Sequence, residues 1–434
     1  MAENRLIRDN QTLWYQKKAK QNSKESISQA LPIACKSIWA RLFGGTKKEL
    51  IRLNHLKDLP ENEKNRLDLF FDFQGIHSSK NYIRDLCLND ATANTDFYSM
   101  GTHHRRICFA NYEENLLVYH ITADKEKKIS FKLKPDARKL NGSYAFTNNI
   151  LTICYESENY FCCYAIKVEN ISGYSEHNSN SVIVSRADEA TVYVLFEKGL
   201  IAYKNNILKT AVERLESSTQ KGYDRILLNH LEDYREKFFA ISFDIAQKEA
   251  LCTTDKLLKN YSANKKELEN LLFQYGRYIS ICSKGKDLSP EKEKSDISLD
   301  MYIKTLMPNL MSKMSPFDTN RCIFASGVMT EFLFDFKDGK ITPLPQKRLA
   351  WADGCVCGIN LADKFIADIK WQNYKVKNIK LKSIKGESFE MDISDFGKYD
   401  FKNSGGALAG LKIDGFSAHF DTQPEDVFEF FTNL

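Results

Sequence analysis

The middle of the chain shows the spacing of apolar residues that is typical of α-helices. Within residues 223–238 and 268–282, large apolar side chains recur at steps of three and four, which places them along one face of a helix. A shorter helix of the same kind is predicted over 208–215, and Gly222 separates it from the next one. Two further helices are predicted over 297–306 and 328–336.

On both sides of these helices the pattern changes to short strands. Segments rich in β-branched and aromatic residues recur about every ten residues, separated by Asn, Gly, Ser and Asp, which is typical of an antiparallel sandwich. Those before the helices are 38–43, 49–54, 67–73, two strands within 105–122 joined at 112–115, 128–133, 144–154, 160–168, 182–185 and 191–196. The later ones are 241–245, 355–361, 365–371, 379–384, 388–393 and 411–413.

The sequence therefore predicts a mainly β protein with some α-helix, organised in several domains. A large N-terminal antiparallel β domain covers residues 1–204, a helical section covers 205–336, and a small C-terminal β domain covers 337–434. A chain of 434 residues, of which 43% are hydrophobic, is long enough to give each part a core of its own.

Charge and hydropathy exclude two classes of partner. The 62 basic and 57 acidic residues are interspersed and the net charge is only +5, so no basic face indicates nucleic-acid binding. No apolar run approaches the roughly 20 residues that cross a bilayer, and the N-terminal residues do not have the pattern of a signal peptide. We therefore expect a cytoplasmic protein that binds neither nucleic acid nor membrane.

The cysteines do not follow the spacing of a disulfide framework. There are eleven, an odd number, and we expect free thiols in a reducing compartment. Cys162 and Cys163 are adjacent. Cys355 and Cys357 are two apart, so on a strand both sulfurs would point to one face and could begin a metal site. No second Cys or His pair follows at the spacing of a zinc site, and we expect no metal and no other cofactor.

A series of short motifs runs in order along nearly the whole chain. They are Leu13-Trp-Tyr, Ala30-Leu-Pro, Phe43-Gly-Gly, Ile51-Arg-Leu-Asn, Arg106-Ile-Cys-Phe-Ala, Leu117-Val-Tyr-His-Ile-Thr-Ala, Gly222-Tyr with His230 and Asp233-Tyr, Phe273-Gln-Tyr-Gly-Arg-Tyr, Asn309-Leu, Pro316-Phe, Gly339-Lys-Ile, Leu344-Pro and Trp351-Ala-Asp-Gly-Cys-Val-Cys-Gly. As an ordered series they resemble the inverting α-L-fucosidases of glycoside hydrolase family ninety-five.

This resemblance implies a β-supersandwich, a helical linker, an α/α toroid of twelve helices and a small C-terminal β-sandwich. In the family, the toroid holds a glutamate that acts as general acid, and two asparagines and an aspartate that activate water. Inverting hydrolysis places its acid and its base about 6.5–9.5 Å apart, which leaves room for that water.

The chain departs from the family in the catalytic part. Only about 30 residues separate Tyr278 from Asn309, whereas a closed toroid of twelve helices needs several hundred. We therefore expect only a remnant of the toroid, and no residue inherits the role of the general acid or of the asparagine pair. The family's aspartate falls on Asn320, whose amide cannot take up a proton at neutral pH.

The remaining candidate residues each have a structural interpretation beside a functional one. Asp318 and Glu331 are weak catalytic candidates that could equally be a turn residue and a solvated helix residue. Residues 103–106, His-His-Arg-Arg, could bind an anion or a sugar, or form the polar face of an edge strand. His230 is expected in the core. Four tryptophans could stack on sugars, although burial is usual for this side chain; they are Trp14, Trp39, Trp351 and Trp371.

Three functional hypotheses follow from the sequence. In the first, the protein is a degenerate, catalytically inactive relative of glycoside hydrolases that serves as a carbohydrate-binding or structural module. In the alternative, it is an active glycosidase of the α-L-fucosidase type with an acid pair rebuilt from Asp318, Glu331 or Asp353. In the third, a partner chain completes the toroid. The expected partner is thus a glycan, or a protein that covers the truncated helical layer.

Overall fold

The computed structural model describes residues 11–16, 31–35, 38–55, 66–137, 140–157, 159–246, 252–260, 262–283, 327–345, 351–396, 398–403 and 411–432. Strands make up 53% of the structure, so the prediction of a mainly β protein is confirmed. The α-helices with described bounds are α1 (Lys204–Thr219), α2 (Tyr223–Phe239), α3 (Thr254–Lys259) and α4 (Lys265–Ser283). Helices α1, α2 and α4 correspond to the helices predicted over 208–215, 223–238 and 268–282, whereas α3 was not predicted.

Two antiparallel sheets form the N-terminal part. Their strands are β1 (Thr12–Tyr15), β2 (Leu31–Cys35), β3 (Ile38–Phe43), β4 (Lys48–His55), β5 (Arg66–Phe73), β6 (Lys80–Cys87), β7 (Thr92–Ser99), β8 (Thr102–Asn111), β9 (Leu116–Ala123), β10 (Ile129–Asp136), β11 (Ser143–Thr147), β12 (Ile150–Ser157), β13 (Tyr160–Ile171), β14 (Tyr174–Asn178), β15 (Ser181–Ala187) and β16 (Glu189–Leu200). The nine-stranded sheet has the order β1-β6-β7-β8-β9-β16-β13-β12-β11, and the seven-stranded sheet has the order β14-β15-β10-β5-β4-β3-β2. The inner faces pack together; for example, the rings of Phe71 on β5 and Tyr119 on β9 meet edge to face, with centroids 4.8 Å apart.

A buried ion pair lies between these two sheets. Glu49 on β4 and Arg106 on β8 have side chains that are 0% and 1% exposed, and their Oε1 and Nη1 atoms are 3.0 Å apart. Arg106 also donates to the carbonyl oxygens of Gly45, at 3.1 Å, and Thr46, at 2.8 Å. The Tyr119 hydroxyl donates to the other carboxylate oxygen of Glu49. These contacts offset part of the cost of removing both charges from water, although neither Glu49 Oε1 nor Arg106 Nε makes a hydrogen bond within the described part of the chain.

Helices α1 and α2 cover the outer face of the nine-stranded sheet. Apolar residues of α1 share one cluster with Cys163, Ala165 and Leu195 of the sheet. On α2, the Tyr234 hydroxyl donates to the Leu88 carbonyl at 2.6 Å, and His230 Nε2 lies 2.9 Å from the Asp90 carbonyl oxygen. His230 is thus a hydrogen-bonded core residue, as expected from the sequence.

Helix α4 lies between the two β parts. Its Tyr278 hydroxyl donates to the carbonyl of Pro32 on β2 at 3.0 Å, whereas its Gln274 amide donates to the carbonyl of Phe243 at 2.9 Å. Phe243 belongs to β17 (Ser242–Asp244), which pairs with the C-terminal domain. The indole of Trp351 donates to the buried carboxylate of Glu269 on α4, at 2.5 Å. The helix is therefore held by polar contacts on both sides.

The C-terminal strands form a second, smaller sandwich. They are β18 (Phe334–Lys337), β19 (Lys340–Pro343), β20 (Gly354–Leu361), β21 (Phe365–Gln372), β22 (Lys375–Ser383), β23 (Phe389–Asp392), β24 (Tyr399–Asn403), β25 (Lys412–Asp414), β26 (Ser417–Phe420) and β27 (Val427–Thr432). One sheet has the order β17-β20-β21-β22-β27-β24 and the other β18-β19-β23-β26-β25. Aromatic rings fill the space between them, such as Phe389 against Phe365, with centroids 4.8 Å apart.

Several elements differ from the sequence predictions. Segment 144–154 is not one strand but parts of two, because Asn148 and Asn149 adopt left-handed backbone angles and turn the chain. Residues 328–336 are helical only as far as residue 331 and then enter β18. Strand β7 was missed because nearly all of its residues are buried, which removes the polar-apolar alternation. The helix predicted over 297–306 lies outside the described residues.

Replacement of Arg106 by Met is expected to lower the free energy of unfolding by about 3–5 kcal/mol, because it leaves the Glu49 carboxylate buried without its partner. Urea unfolding followed by tryptophan fluorescence measures this change. Arg105→Met is the matched control, since Arg105 is exposed on the other face of β8 and its loss is expected to change stability by less than about 0.5 kcal/mol. Equal losses in the two variants would contradict the role of the ion pair.

Candidate functional site

The four polar residues at 103–106 are divided between the two faces of β8. His104 and Arg106 are buried in the sandwich, whereas His103 is partly exposed and Arg105 is exposed. Successive side chains on a strand point to opposite faces, so the four residues do not form one site. Only the outward pair is available to a ligand.

A cleft opens next to this outward face, where β7 turns into β8. Its volume is about 450 Å³, within the range of about 300–1,000 Å³ that is usual for small-ligand sites. The residues that line it are Ser78, Lys80, Asn81, Tyr98, Met100 and Gly101. The start of β6 forms one side and the β7–β8 turn forms the other.

A β-bulge shapes the side of the cleft that β6 provides. Lys80 pairs with Tyr98 and Ile83 pairs with Asp96, so two residues of β6 stand opposite one residue of β7. Asn81, within the bulge, has a φ of 52°. Asparagine tolerates this left-handed conformation better than most residues. A bulge redirects side chains relative to a regular strand, which brings Asn81 to the cleft.

The β7–β8 turn carries an unusual residue. Ser99 pairs with Thr102, and the two residues between them, Met100 and Gly101, have φ angles of 50° and 69°. Such a two-residue turn favours Asn followed by Gly. Met100 is held in the left-handed region, which costs roughly 1–2 kcal/mol, and its side chain is 72% exposed.

Tyr98 supplies an aromatic surface to the cleft, and neighbouring side chains on the same sheet face hold its ring in place. Its side chain is 46% exposed, and its ring lies against the His103 ring with centroids 4.9 Å apart. His103 Nε2 lies 3.3 Å from Asp96 Oδ1, and the His103 amide donates to Asp124 Oδ1 at 2.8 Å. The cleft thus combines the fixed ring of Tyr98, the apolar side chain of Met100 and several hydrogen-bonding groups.

Of the catalytic candidates named from the sequence, only Glu331 and Asp353 lie within the described residues. Asp318 and Asn320 lie outside the described residues. Glu331 is exposed at the end of its helical segment, and Asp353 is exposed and accepts a hydrogen bond from the Asn373 amide at 2.9 Å. Their catalytic roles remain predictions.

The tryptophans with described side chains are all buried. Trp39 and Trp351 are 4% exposed and Trp371 is 2% exposed, so none of these rings is presented to a sugar. The side chain of Trp14 lies outside the described part. The aromatic residue at the cleft is instead Tyr98, for which the only sequence signal is the Met-Gly turn after it.

The described residues contain no group of three His, Cys, Asp or Glu side chains close enough together to hold a metal ion. Cys355 is partly exposed and Cys357 exposed, both on β20. Of the helices in the described part of the chain, none is long and apolar enough to span a bilayer.

Comparisons with known proteins agree with the resemblance drawn from the motifs. Residues 9–200 match the model of the glycosyl hydrolase family 65 N-terminal domain. Residues 222–292 match that of the glycosyl hydrolase family 95 catalytic domain, and residues 337–430 match that of the glycoside hydrolase family 95 C-terminal domain. The resemblance to family ninety-five is therefore confirmed, and the protein is glycosidase-like.

Individual relatives are distant and considerably longer. The chain is 24% identical over 243 residues to "Probable alpha-fucosidase A" of Aspergillus niger, covering 50% of this chain and 30% of that protein. It is 22% identical over 259 residues to "Alpha-L-fucosidase 2" of Arabidopsis thaliana, covering 50% and 31%. Thus the match spans less than one third of either relative. Among solved structures, "Putative kojibiose phosphorylase from human microbiome" aligns with a TM-score of 0.39 and 11% identity, covering 64% of this chain and 43% of that one.

Three buried histidines make the fold sensitive to acid. Burial lowers the pKa of His120 and His230 to about 4, and burial together with the Arg106 charge lowers the pKa of His104 to about 4. In the unfolded chain the pKa is about 6.5. Between these values the unfolded chain binds more protons than the folded one, so stability is complete above about pH 6.5 and falls as the pH drops towards 4.

Replacement of His230 by Gln is expected to reduce this pH dependence, because the variant loses one group that takes up a proton on unfolding. The free energy of unfolding, measured in urea at several pH values from 7 to 4.5, should fall less steeply in the variant than in the wild type. Parallel slopes for the two proteins would contradict this expectation, because they would show that the pKa of His230 does not differ between the folded and unfolded states.

Proposed function

We propose that this protein is a glycosidase-like carbohydrate-binding protein that uses the cleft beside Tyr98 and does not hydrolyse glycosidic bonds. The observation that carries the proposal is that Tyr98 and Met100 line the same cleft. Both residues are strongly exposed, and Met100 is held in a strained turn. Exposed aromatic and apolar side chains fixed at a concave surface are typical of ligand-binding positions.

The chemistry of the cleft suits a sugar ring. A pyranose presents a face of C–H groups and an edge of hydroxyl groups. The Tyr98 ring and the Met100 side chain offer apolar surface for the face, whereas Ser78, Lys80 and Asn81 offer donors and acceptors for the hydroxyl groups. Because His103 and Asp96 support the tyrosine from the same sheet face, its side chain loses little conformational freedom when a ligand binds.

The lack of hydrolysis is supported by the shortness of the catalytic region. The match to the catalytic domain ends at residue 292 and the match to the C-terminal domain begins at residue 337, so few residues remain between them. Among the described residues that line the cleft, none carries a carboxyl group. Inverting hydrolysis needs two.

Replacement of Tyr98 by Ala is expected to weaken carbohydrate binding at least about tenfold, which corresponds to the loss of about 1.4 kcal/mol from one aromatic contact. The probes are immobilised oligosaccharides that end in L-fucose or D-galactose, with calorimetry for those that bind. Tyr174→Ala is the matched control, because Tyr174 is 55% exposed on β14 of the other sheet. Loss of binding in both variants, or in neither, would place the site elsewhere.

Hydrolysis is measured on the same two sugar classes with the purified full chain. No release of fucose or galactose is expected. Turnover that persists through extensive purification and disappears in Glu331→Gln or Asp353→Asn would contradict the proposal and support an active glycosidase.

Replacement of Met100 by Asn is expected to move stability and binding in opposite directions. Asparagine relieves the left-handed strain, so the free energy of unfolding should rise by roughly 1 kcal/mol. The apolar surface of the Met100 side chain is lost, so carbohydrate binding should weaken. Thermal unfolding and calorimetry measure the two effects, and a variant that is more stable and binds as tightly as the wild type would exclude Met100 from the site.

A further inference from the structure

Two cysteines face each other across neighbouring strands of the nine-stranded sheet. Cys154 on β12 stands directly opposite Cys163 on β13, and their Sγ atoms are 3.1 Å apart. Cα atoms of directly opposed residues in antiparallel strands are about 4.5–5.5 Å apart. Disulfides span Cα separations of about 4.4–6.8 Å. A bond between the two sulfurs therefore needs side-chain rotation but no movement of the backbone.

The two thiols differ in access and in reactivity. Cys154 is partly exposed, whereas Cys163 is fully buried. The Cys154 thiol donates a hydrogen bond to Cys163 Sγ. When Cys154 loses its proton, the Cys163 thiol can donate to the thiolate in return, which lowers the pKa of Cys154. The same interaction together with burial raises the pKa of Cys163. Since the thiolate is the nucleophile, Cys154 is the thiol that reacts first with an external oxidant.

We propose that Cys154 and Cys163 form a reversible disulfide by exchange with a small-molecule disulfide such as oxidised glutathione. The Cys154 thiolate attacks one glutathione sulfur, the external S–S bond breaks and one glutathione thiolate leaves. The Cys163 thiol then loses its proton and attacks Cys154 Sγ, which expels the second glutathione. Two protein thiols are oxidised, one external disulfide is reduced, and the two released thiols take up the two protons.

The position of the two cysteines indicates which elements a disulfide between them would join. Cys163 shares an apolar cluster with Ile207, Ala211 and Leu215 of α1, and Cys154 packs against its margin. The bond would therefore join β12 to β13 beneath α1 and oppose local opening of this part of the sheet. This inference does not depend on carbohydrate binding.

Cys162 provides a matched comparison on the same strand. It is the neighbour of Cys163 on β13, so its side chain points to the opposite face, and it belongs to the core between the two sheets. The same oxidant should leave it reduced in the folded protein.

The test uses the full chain, equilibrated with glutathione at increasing ratios of disulfide to thiol, then quenched, denatured and alkylated. The number of alkylated thiols should fall by two from eleven, and peptide mapping should show one Cys154–Cys163 crosslink that excess reduced glutathione removes. Urea unfolding of the oxidised protein should show a higher midpoint than that of the reduced protein.

Single Cys→Ser variants identify which two cysteines form the crosslink. Cys154→Ser should abolish the crosslink, and Cys162→Ser should retain it. Cys163→Ser should stop at a mixed disulfide of glutathione with Cys154; if this buried variant does not fold, Cys154→Ser alone carries the test. Eleven alkylated thiols at every ratio, a wild type that stops at the mixed disulfide, or an equal loss of thiols in Cys154→Ser would each overturn the proposal.

Discussion

The ion pair of Glu49 and Arg106 holds the two N-terminal sheets in register. Each partner comes from a different sheet, and the guanidinium also binds the carbonyl groups of Gly45 and Thr46. The turn that provides these carbonyl groups has no room for side chains at its two glycines. A Cβ on Gly44 would lie 2.6 Å from the Tyr82 hydroxyl, and one on Gly45 would lie 2.5 Å from the Lys48 carbonyl oxygen. A side chain at either position would therefore displace the backbone of the turn. A charge pair without water tolerates little displacement, so it fixes which residues of β4 and β8 oppose each other.

The outer face of β8 depends on this fixed inner face. His104 and Arg106 anchor the strand inward, and the alternating residue His103 then supports Tyr98 from the same side of the sheet. The bulge in β6 and the Met100–Gly101 turn are local departures from regular strand geometry on a rigid sheet. A recognition surface placed on such a scaffold keeps its geometry without a ligand, which lowers the entropic cost of binding.

The helical layer joins the two sandwiches. Helix α4 lies within the segment that matches the catalytic domain, yet its buried polar side chains bind the rest of the chain: Tyr278 to β2, Gln274 to β17, and Glu269 to Trp351. Each of these three buried side chains has a protein partner that would be costly to lose. Exchange of any of these partners would therefore affect the contact between the two β parts.

Periodicity in the sequence determined the three long helices α1, α2 and α4 and most strands, because an element that buries one face must repeat its apolar residues at the matching interval. Ordered motifs likewise determined the resemblance to family ninety-five. Strand β7 and the Asn148–Asn149 turn escaped prediction, the first because burial on both faces removes alternation and the second because two asparagines alone do not specify a hairpin. Strand register decided three features: which of His103 and Arg106 faces inward, the presence of Lys80 and Met100 at one cleft, and the opposition of Cys154 to Cys163. Register depends on the geometry of each turn and on which strand face is buried in the sandwich, and that burial is known only from the tertiary structure.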